Sequence, residues 1–296
     1  MLTNNAQHSI KQCRRVQRSA GSHWVGNGFP VRSLFSYQDE EPLLSPFLLL
    51  DYAGPLVFPP TSQRLGVGEH PHRGFETVSI VYAGEVEHRD SSGGGGRIGP
   101  GDVQWMTAAS GVVHEEFHGR DFAQRGGLFE MVQLWVNLPA QYKMAAPRYQ
   151  GIVCSQIPVV SLPNGQGSLR VIAGAFAGEV GPAQTHTPMQ MWDLRLTTAQ
   201  PLEFAVPDGH SALLVVLQGT VRVAGGAVIN AAEVGLFERA GGSIRLDSAE
   251  NVTALLLSGE PIEEPIVGSG PFVMNTAQEI RQAMLDYRDG KMGHLA

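Results

Sequence analysis

The sequence predicts an all-β protein: two tandem β-barrels, residues 1–147 and 148–296, with a C-terminal α-helix. Three observations carry that expectation. Short strand-like runs recur between Gly and Pro residues, one β-motif is present twice, and a capped helical pattern ends the chain. A length of 296 residues suits two domains of roughly 150 residues each. The 36 glycines and 19 prolines are scattered as turn punctuation, which is the usage of many short strands.

In the first half the runs are Thr77 to Tyr82, Gly84 to His88, Val103 to Thr107, Gly111 to Glu116 and Leu128 to Val136. Between them, Ser91 to Gly96 reads as a flexible hairpin tip. Its four glycines lack the strand and helix context of a phosphate loop. The second half repeats the pattern. Ile80 to Val86 resembles Val215 to Val221, and Asp102 through Glu116 aligns without gaps onto Glu233 through Asp247. Two copies of one motif imply a duplicated barrel. At the end, Thr276 and Glu279 have capping-box spacing. Ile280, Ala283, Met284 and Tyr287 form one apolar stripe, and Gly290 stands where a C-terminal cap belongs. The helix is expected to pack across a barrel.

Chemistry concentrates in two doublets, His70-Pro71-His72 and His114-Glu115-Glu116. Strand side chains alternate with period two, so His70 and His72 share a face, as do His114 and Glu116, while Glu115 points away. Three imidazoles and a carboxylate suit a divalent first-row metal: Fe, Mn, Ni, Cu, Co or Zn. Glu76 rivals Glu116, because its spacing from His72 also suits a ligand and a straight strand would put it on the histidines' face. One of these two glutamates is also the candidate base. Counting from Gly219 as His70 and His72 stand from Gly84, the second copy offers Ala205 and Pro207, with Arg245 and Asp247 in place of His114 and Glu116. Such a set holds no metal of this kind. One metal per chain, in the first half, is the expectation.

A formal net charge of −7 argues against nucleic acid or an anionic membrane as the main partner. Arg14, Arg15 and Arg18 read as a solvated arm. Cys13 and Cys154 make no disulfide framework. No run approaches the ~18 apolar residues of a membrane span, and the Asn- and Gln-bearing first residues lack the apolar core of a leader. A cytoplasmic location is expected.

Glu69-His70-Pro71-His72-Arg73-Gly74-Phe75-Glu76-Thr77, Gly101 to Thr107, the His114/Glu116 doublet, Gln133 to Pro139 and Gly270 to Thr276 together strongly resemble the pirin family. The likeness runs from about Gly28 to the last helix. It implies two tandem cupin (jelly-roll) barrels with one non-haem iron, Fe(2+), in the N-terminal barrel, held by His70, His72, His114 and Glu116. Glu76 then becomes an outer group or the base. Several pirins resemble quercetinases, which split flavonols with O₂ and release carbon monoxide. That implies a small aromatic substrate and O₂, with Glu76 or Glu116 taking the hydroxyl proton. Animal pirins act as transcriptional co-regulators and some bacterial ones are linked to metabolic enzymes. The alternative expectation is therefore a redox-responsive regulator that docks proteins through its C-terminal barrel.

Phe75 and Trp105 are expected as cavity lining or core, and Met106 as pocket wall or core. Arg73 is expected to steer an anionic substrate or form an exposed ion pair. His88 and His118 are expected at the surface, and His186 and His210 in ordinary loops.

Overall fold

The expected strands form, Val103–Thr107 with its expected ends and the others with ends shifted by one or two residues, because their apolar positions alternate between two packed faces. In the computed structural model, which describes residues 9–19, 21–39 and 42–295, they build two cupin-type β-barrels followed by a helix. A seven-stranded sheet has Phe75–Ala83 and Gly127–Asn137 at its centre, and a four-stranded sheet runs in the order Gly66–His72, Val112–His118, Val86–Asp90, Gly95–Ile98. These two sheets form the first barrel around Phe29, Val31, Val81, Val86 and Phe129. A nine-stranded sheet, centred on Ser211–Val223 and Ser243–Gly259, forms the second. The first residues, whose make-up argued against a leader, lie outside the described residues. Among the described residues no helix is long and apolar enough to cross a membrane.

The two barrels share one apolar cluster. Val78, Ile80, Trp105 and Leu134 of the first meet Leu213, Val215, Leu255 and Leu257 of the second, all of them 0 % exposed. Both chain ends cross the division expected at residues 147 and 148. Cys13–Arg18 is no solvated arm: it pairs antiparallel with Glu233–Phe237 in the second barrel, and Arg14 and Arg18 form ion pairs with Glu238 and Glu233. Strand alternation makes the difference, since Val16 and Gln17 supply partly and fully buried positions between the arginines. Cys13 and Cys154 are free thiols.

The far end of the chain returns to the first barrel. A short hairpin, Val267–Ser269 and Phe272–Met274, leads into the helix Ala277–Arg288. Thr276 caps it as read, accepting from the Glu279 N–H at 3.2 Å, and Gly290 takes φ +74° just past its end. The buried stripe differs from the expectation. Ile280, Ala283 and Asp286 face the barrel, while Met284 and Tyr287 are 44 % and 40 % exposed. An ion pair sets this rotation. Asp286 meets the buried Arg73 at 2.8 Å, so Arg73 is an internal anchor instead of an exposed one.

Cross-strand register also adjusts the comparison of the two copies. His114 lies opposite His70 and Val112 opposite His72, whereas Arg245 lies opposite Glu203 and Ser243 opposite Ala205. The second-barrel counterparts of His70 and His72 are thus Glu203 and Ala205, not Ala205 and Pro207. The stretch between this strand and the next is two residues longer in the second copy, which a count back from glycine cannot reveal. Arg245 pairs with Asp247 at 2.9 Å.

Candidate metal centre

Strand Val112–His118 runs between the other two histidine-bearing strands. Its His114 stands opposite His70 on one side and Asp90 on the other, and Glu116 stands opposite His88. Alternation sends Glu115 to the outer face, where it pairs with Arg64 at 3.1 Å and Arg89 at 2.6 Å. On the inner face the ring centroids of His70 and His114 are 4.1 Å apart, those of His72 and His114 4.8 Å, and those of His70 and His72 4.9 Å. Their ring nitrogens, one from each, lie within 4.8 Å of one another.

The tautomers can be read from the partners. His70 Nδ1 lies 2.8 Å from the Gly68 carbonyl and His72 Nδ1 lies 3.4 Å from that of Pro271. A carbonyl only accepts, so each Nδ1 carries a proton, and in the neutral ring the lone pair is left on Nε2. Burial, with His70 beside it, pushes the His72 imidazole down to about 3. Burial and the neighbouring imidazoles likewise hold His114 well below its usual value. Both are neutral at pH 7, the form that ligates metal. His114 Nε2 is buried and has no hydrogen-bond partner among the described residues. A buried polar atom left in that state is costly, and a metal ion would satisfy it. The donor set fits a divalent first-row metal.

The two candidate carboxylates are far from equivalent. Glu116 belongs to a second metal-capable group, with His88 and His114. Glu76 belongs to neither group. The alternation that would have placed it with the histidines breaks at Arg73 and Gly74, where the chain turns from the four-stranded into the seven-stranded sheet. Gly74 takes φ +91°, and a Cβ there would stand 1.9 Å from the Val273 carbonyl oxygen. Lys143 Nζ seals that corner, donating to the Gly74 and Val273 carbonyls and to Asn137. Beyond it the parity is reset. Glu76 shares its strand face with Val78 and Ile80, which pack toward the second barrel, and it accepts from Thr107 Oγ1 at 2.6 Å. Burial pushes its carboxyl up to about 7.

Other residues sort by the same faces. The Phe75 and Trp135 rings pack with centroids 4.3 Å apart, tilted by 33°, and lie 5.1 Å and 5.4 Å from the His72 ring. They form an aromatic wall beside the histidines. Trp105 sits in the core between the barrels, and Met106 packs with Ala108 and Val112. His118 is buried, contrary to expectation, among Phe29, Phe58, Phe122 and Phe129, and pairs with the Gly28 carbonyl. His186 and His210 lie in bends outside the strands and, among the described residues, join no metal-capable group.

His88, expected at the surface, is the clearest misplacement of the sequence reading. It is 4 % exposed, and its Nδ1 lies 3.2 Å from His114 Nδ1. A signal existed: His88-Arg89-Asp90 is itself a His-x-carboxylate doublet with period-two spacing. Gln104 and the Pro271 carbonyl were also missed, and single polar residues in distant strands leave no local pattern.

Comparison with known proteins places this geometry among relatives. A family model described as Pirin matches residues 28–136, and one described as Pirin C-terminal cupin domain matches residues 191–293. A Pseudomonas aeruginosa protein, provisionally named a quercetin 2,3-dioxygenase, is 55 % identical over 282 residues, or 95 % of this chain and 98 % of that one. A pirin-like protein of Caulobacter vibrioides is 39 % identical across 85 % of this chain and 89 % of its own length. The crystal structure of an Acinetobacter baumannii quercetin 2,3-dioxygenase superposes with a TM-score of 0.94 at 50 % identity, covering 97 % of this chain and all of that one.

Proposed function

The chain belongs to the pirin family, and on that footing we propose that it is a metal-dependent oxygenase of the quercetin 2,3-dioxygenase type. Its substrates would be flavonol-like compounds carrying a 3-hydroxyl beside a 4-keto group, and O₂ its second substrate. The observation that carries the proposal is the convergence of three imidazoles on one inner strand face, with His114 Nε2 left unpartnered among the described residues. The names of the close relatives point to the same chemistry.

In this reading His70, His72, His114 and Glu116 hold the ion, with iron the first candidate and nickel, manganese, copper, cobalt and zinc compatible with the donors. When bound, such an ion supplies Lewis acidity and lowers the cost of an anionic substrate. The chain's own residues do the rest. Gln104 Nε2 donates to Glu116 Oε1 at 3.1 Å and so orients the carboxylate, which would help hold the ion and, on loosening from it, would receive the 3-hydroxyl proton. Glu76, turned toward the second barrel, is not carried forward as the base. Phe75 and Trp135 offer a flat apolar face to the aromatic rings and help exclude water from beside His72.

The test is aerobic turnover of quercetin by separately iron-loaded and nickel-loaded protein. Loss of the flavonol absorbance with release of carbon monoxide is expected. No absorbance loss and no carbon monoxide with either metal would remove the proposal. The regulatory alternative has no observation of its own in the geometry and is not taken further.

A further inference from the structure

Behind the three clustered histidines lies a second line of buried polar groups, contributed by strands Val86–Asp90 and Val103–Thr107 and by Tyr149. Asp90 is its far end. Its Oδ1 accepts from the Ser92 N–H and Oγ and the Gly94 N–H, between 2.6 and 3.0 Å, which pins the carboxylate in the hairpin turn. Its Oδ2 lies 3.1 Å from His88 Nε2. At the other ring nitrogen, His88 Nδ1 meets Gln104 Nε2 and His114 Nδ1, each at 3.2 Å. The His88 ring is held flat by stacking on Tyr149, with centroids 5.2 Å apart and an interplanar angle of 15°.

With the Gln104 amide oriented by Glu116 and Tyr149, one arrangement of protons follows, in which the single lone pair of His88 Nδ1 is shared by two donors. The Gln104 amide faces the Glu116 carboxylate at 3.1 Å, so its NH₂ must point there, and its oxygen accepts from the Tyr149 hydroxyl at 3.2 Å. The same NH₂ then donates to His88 Nδ1, which makes that nitrogen an acceptor. His88 therefore carries its proton on Nε2 and gives it to Asp90 Oδ2. Because His88 Nδ1 accepts, His114 must donate to it from Nδ1–H. The lone pair of His114 is thereby confined to Nε2, the atom that is buried and unpartnered.

We propose that His88 is the positioning residue of this centre, locking His114 in its Nε2-ligand form through the relay Asp90–His88–His114. The inference rests on the metal-binding reading above and adds what sets one ligand's tautomer and ring angle. Carboxylate–histidine–metal triads commonly orient a ligand directly. Here a second imidazole is interposed, and Asp90 fixes that imidazole's tautomer so that its Nδ1 is the acceptor for His114. Gln104 ties the same acceptor to Glu116, which couples two of the four ligand side chains through one amide.

Three substitutions of His88, examined in the full chain, test this. Asparagine places a carbonyl oxygen at the δ position and retains the acceptor for His114. Glutamine places it one atom too far, and leucine removes it. Co²⁺ affinity is measured by competition with a chromophoric chelator, with circular dichroism and thermal melting of the metal-free proteins as the control for folding. His88→Gln and His88→Leu are expected to weaken binding by about 10- to 100-fold, and His88→Asn to stay near the wild type. The Co²⁺ visible spectrum should change in the Gln variant and persist in the Asn variant. Should the Leu variant fail to fold, the Asn and Gln pair decides. Equal affinities in wild type, Asn and Gln would overturn the relay while leaving the metal site standing. A wild-type protein that takes up no Co²⁺ would overturn both.

Discussion

His70 shows how much one position carries in this site. Its Nδ1 is tied to its own strand through Gly68, so its Nε2 is presented to His72 and His114 without help from distant elements. His70→Ala removes one of three imidazoles while leaving the surrounding core intact. Elemental analysis of the purified variant is expected to show metal falling from near one equivalent to near none, with the melting temperature of the metal-free protein little changed. Glu76 makes a different prediction at the same scale. Its folded-state carboxyl titrates near 7 against 4.5 for the free group. The folded state therefore binds that proton more tightly than the unfolded state. The resulting stability is fully present below pH 4.5 and is lost as pH rises through about 7. Glu76→Gln keeps the acceptor for Thr107 and removes the titration. The variant's stability relative to wild type is expected to grow by on the order of 3 kcal/mol between pH 4.5 and 8. Denaturant melts across that range would read it, and a flat difference would contradict the burial argument.

At the scale of elements, the C-terminal helix is the part whose role changes most between sequence and structure. Its caps were legible, because Thr276, Glu279 and Gly290 act over three or four residues of chain. Its buried face was not, because an apolar stripe drawn through Met284 and Tyr287 takes no account of Arg73, more than two hundred residues away. The helix turns to satisfy that guanidinium. Lys291 and Arg73 together hold the Asp286 carboxyl well below the usual carboxylate range. Asp286→Ala strands the buried Arg73 and is expected to cost about 2–3 kcal/mol, less than a fully buried pair because the carboxylate is 13 % exposed. Thr276→Ala, which only removes a cap, is expected to cost about 1 kcal/mol. Urea unfolding of the two variants compares them directly, and the reverse order would mean that the ion pair does not anchor the helix. Because the Pro271 carbonyl holds His72, the Asp286 variant should also bind metal more weakly.

For the molecule as a whole, the shared cluster between the barrels predicts cooperative unfolding. Trp105 and Leu134 cannot be exposed without also exposing Leu213 and Leu255. Calorimetry of the metal-free protein should therefore give one transition, with equal calorimetric and van't Hoff enthalpies; two separate transitions would show that the barrels fold independently. The exchanged ends add a second expectation. Deleting the chain through Arg18 opens the edge at Glu233–Phe237, so hydrogen exchange should speed up in that strand and leave the four-stranded metal sheet as protected as before.

What the sequence determined by itself is everything that follows from neighbours along the chain. Period-two alternation placed His70 with His72 and His114 with Glu116, and set Glu115 outside. Its motif likeness named the family. Only the tertiary structure decided that Glu76 turns away from the histidines, since the corner at Gly74 resets the parity of the strand that follows it. Only the tertiary structure brought His88, Gln104 and Tyr149 behind His114, and the C-terminal hairpin against His72. These are cross-strand and cross-sheet contacts, fixed by register and corner geometry, and no periodicity within a single strand encodes them.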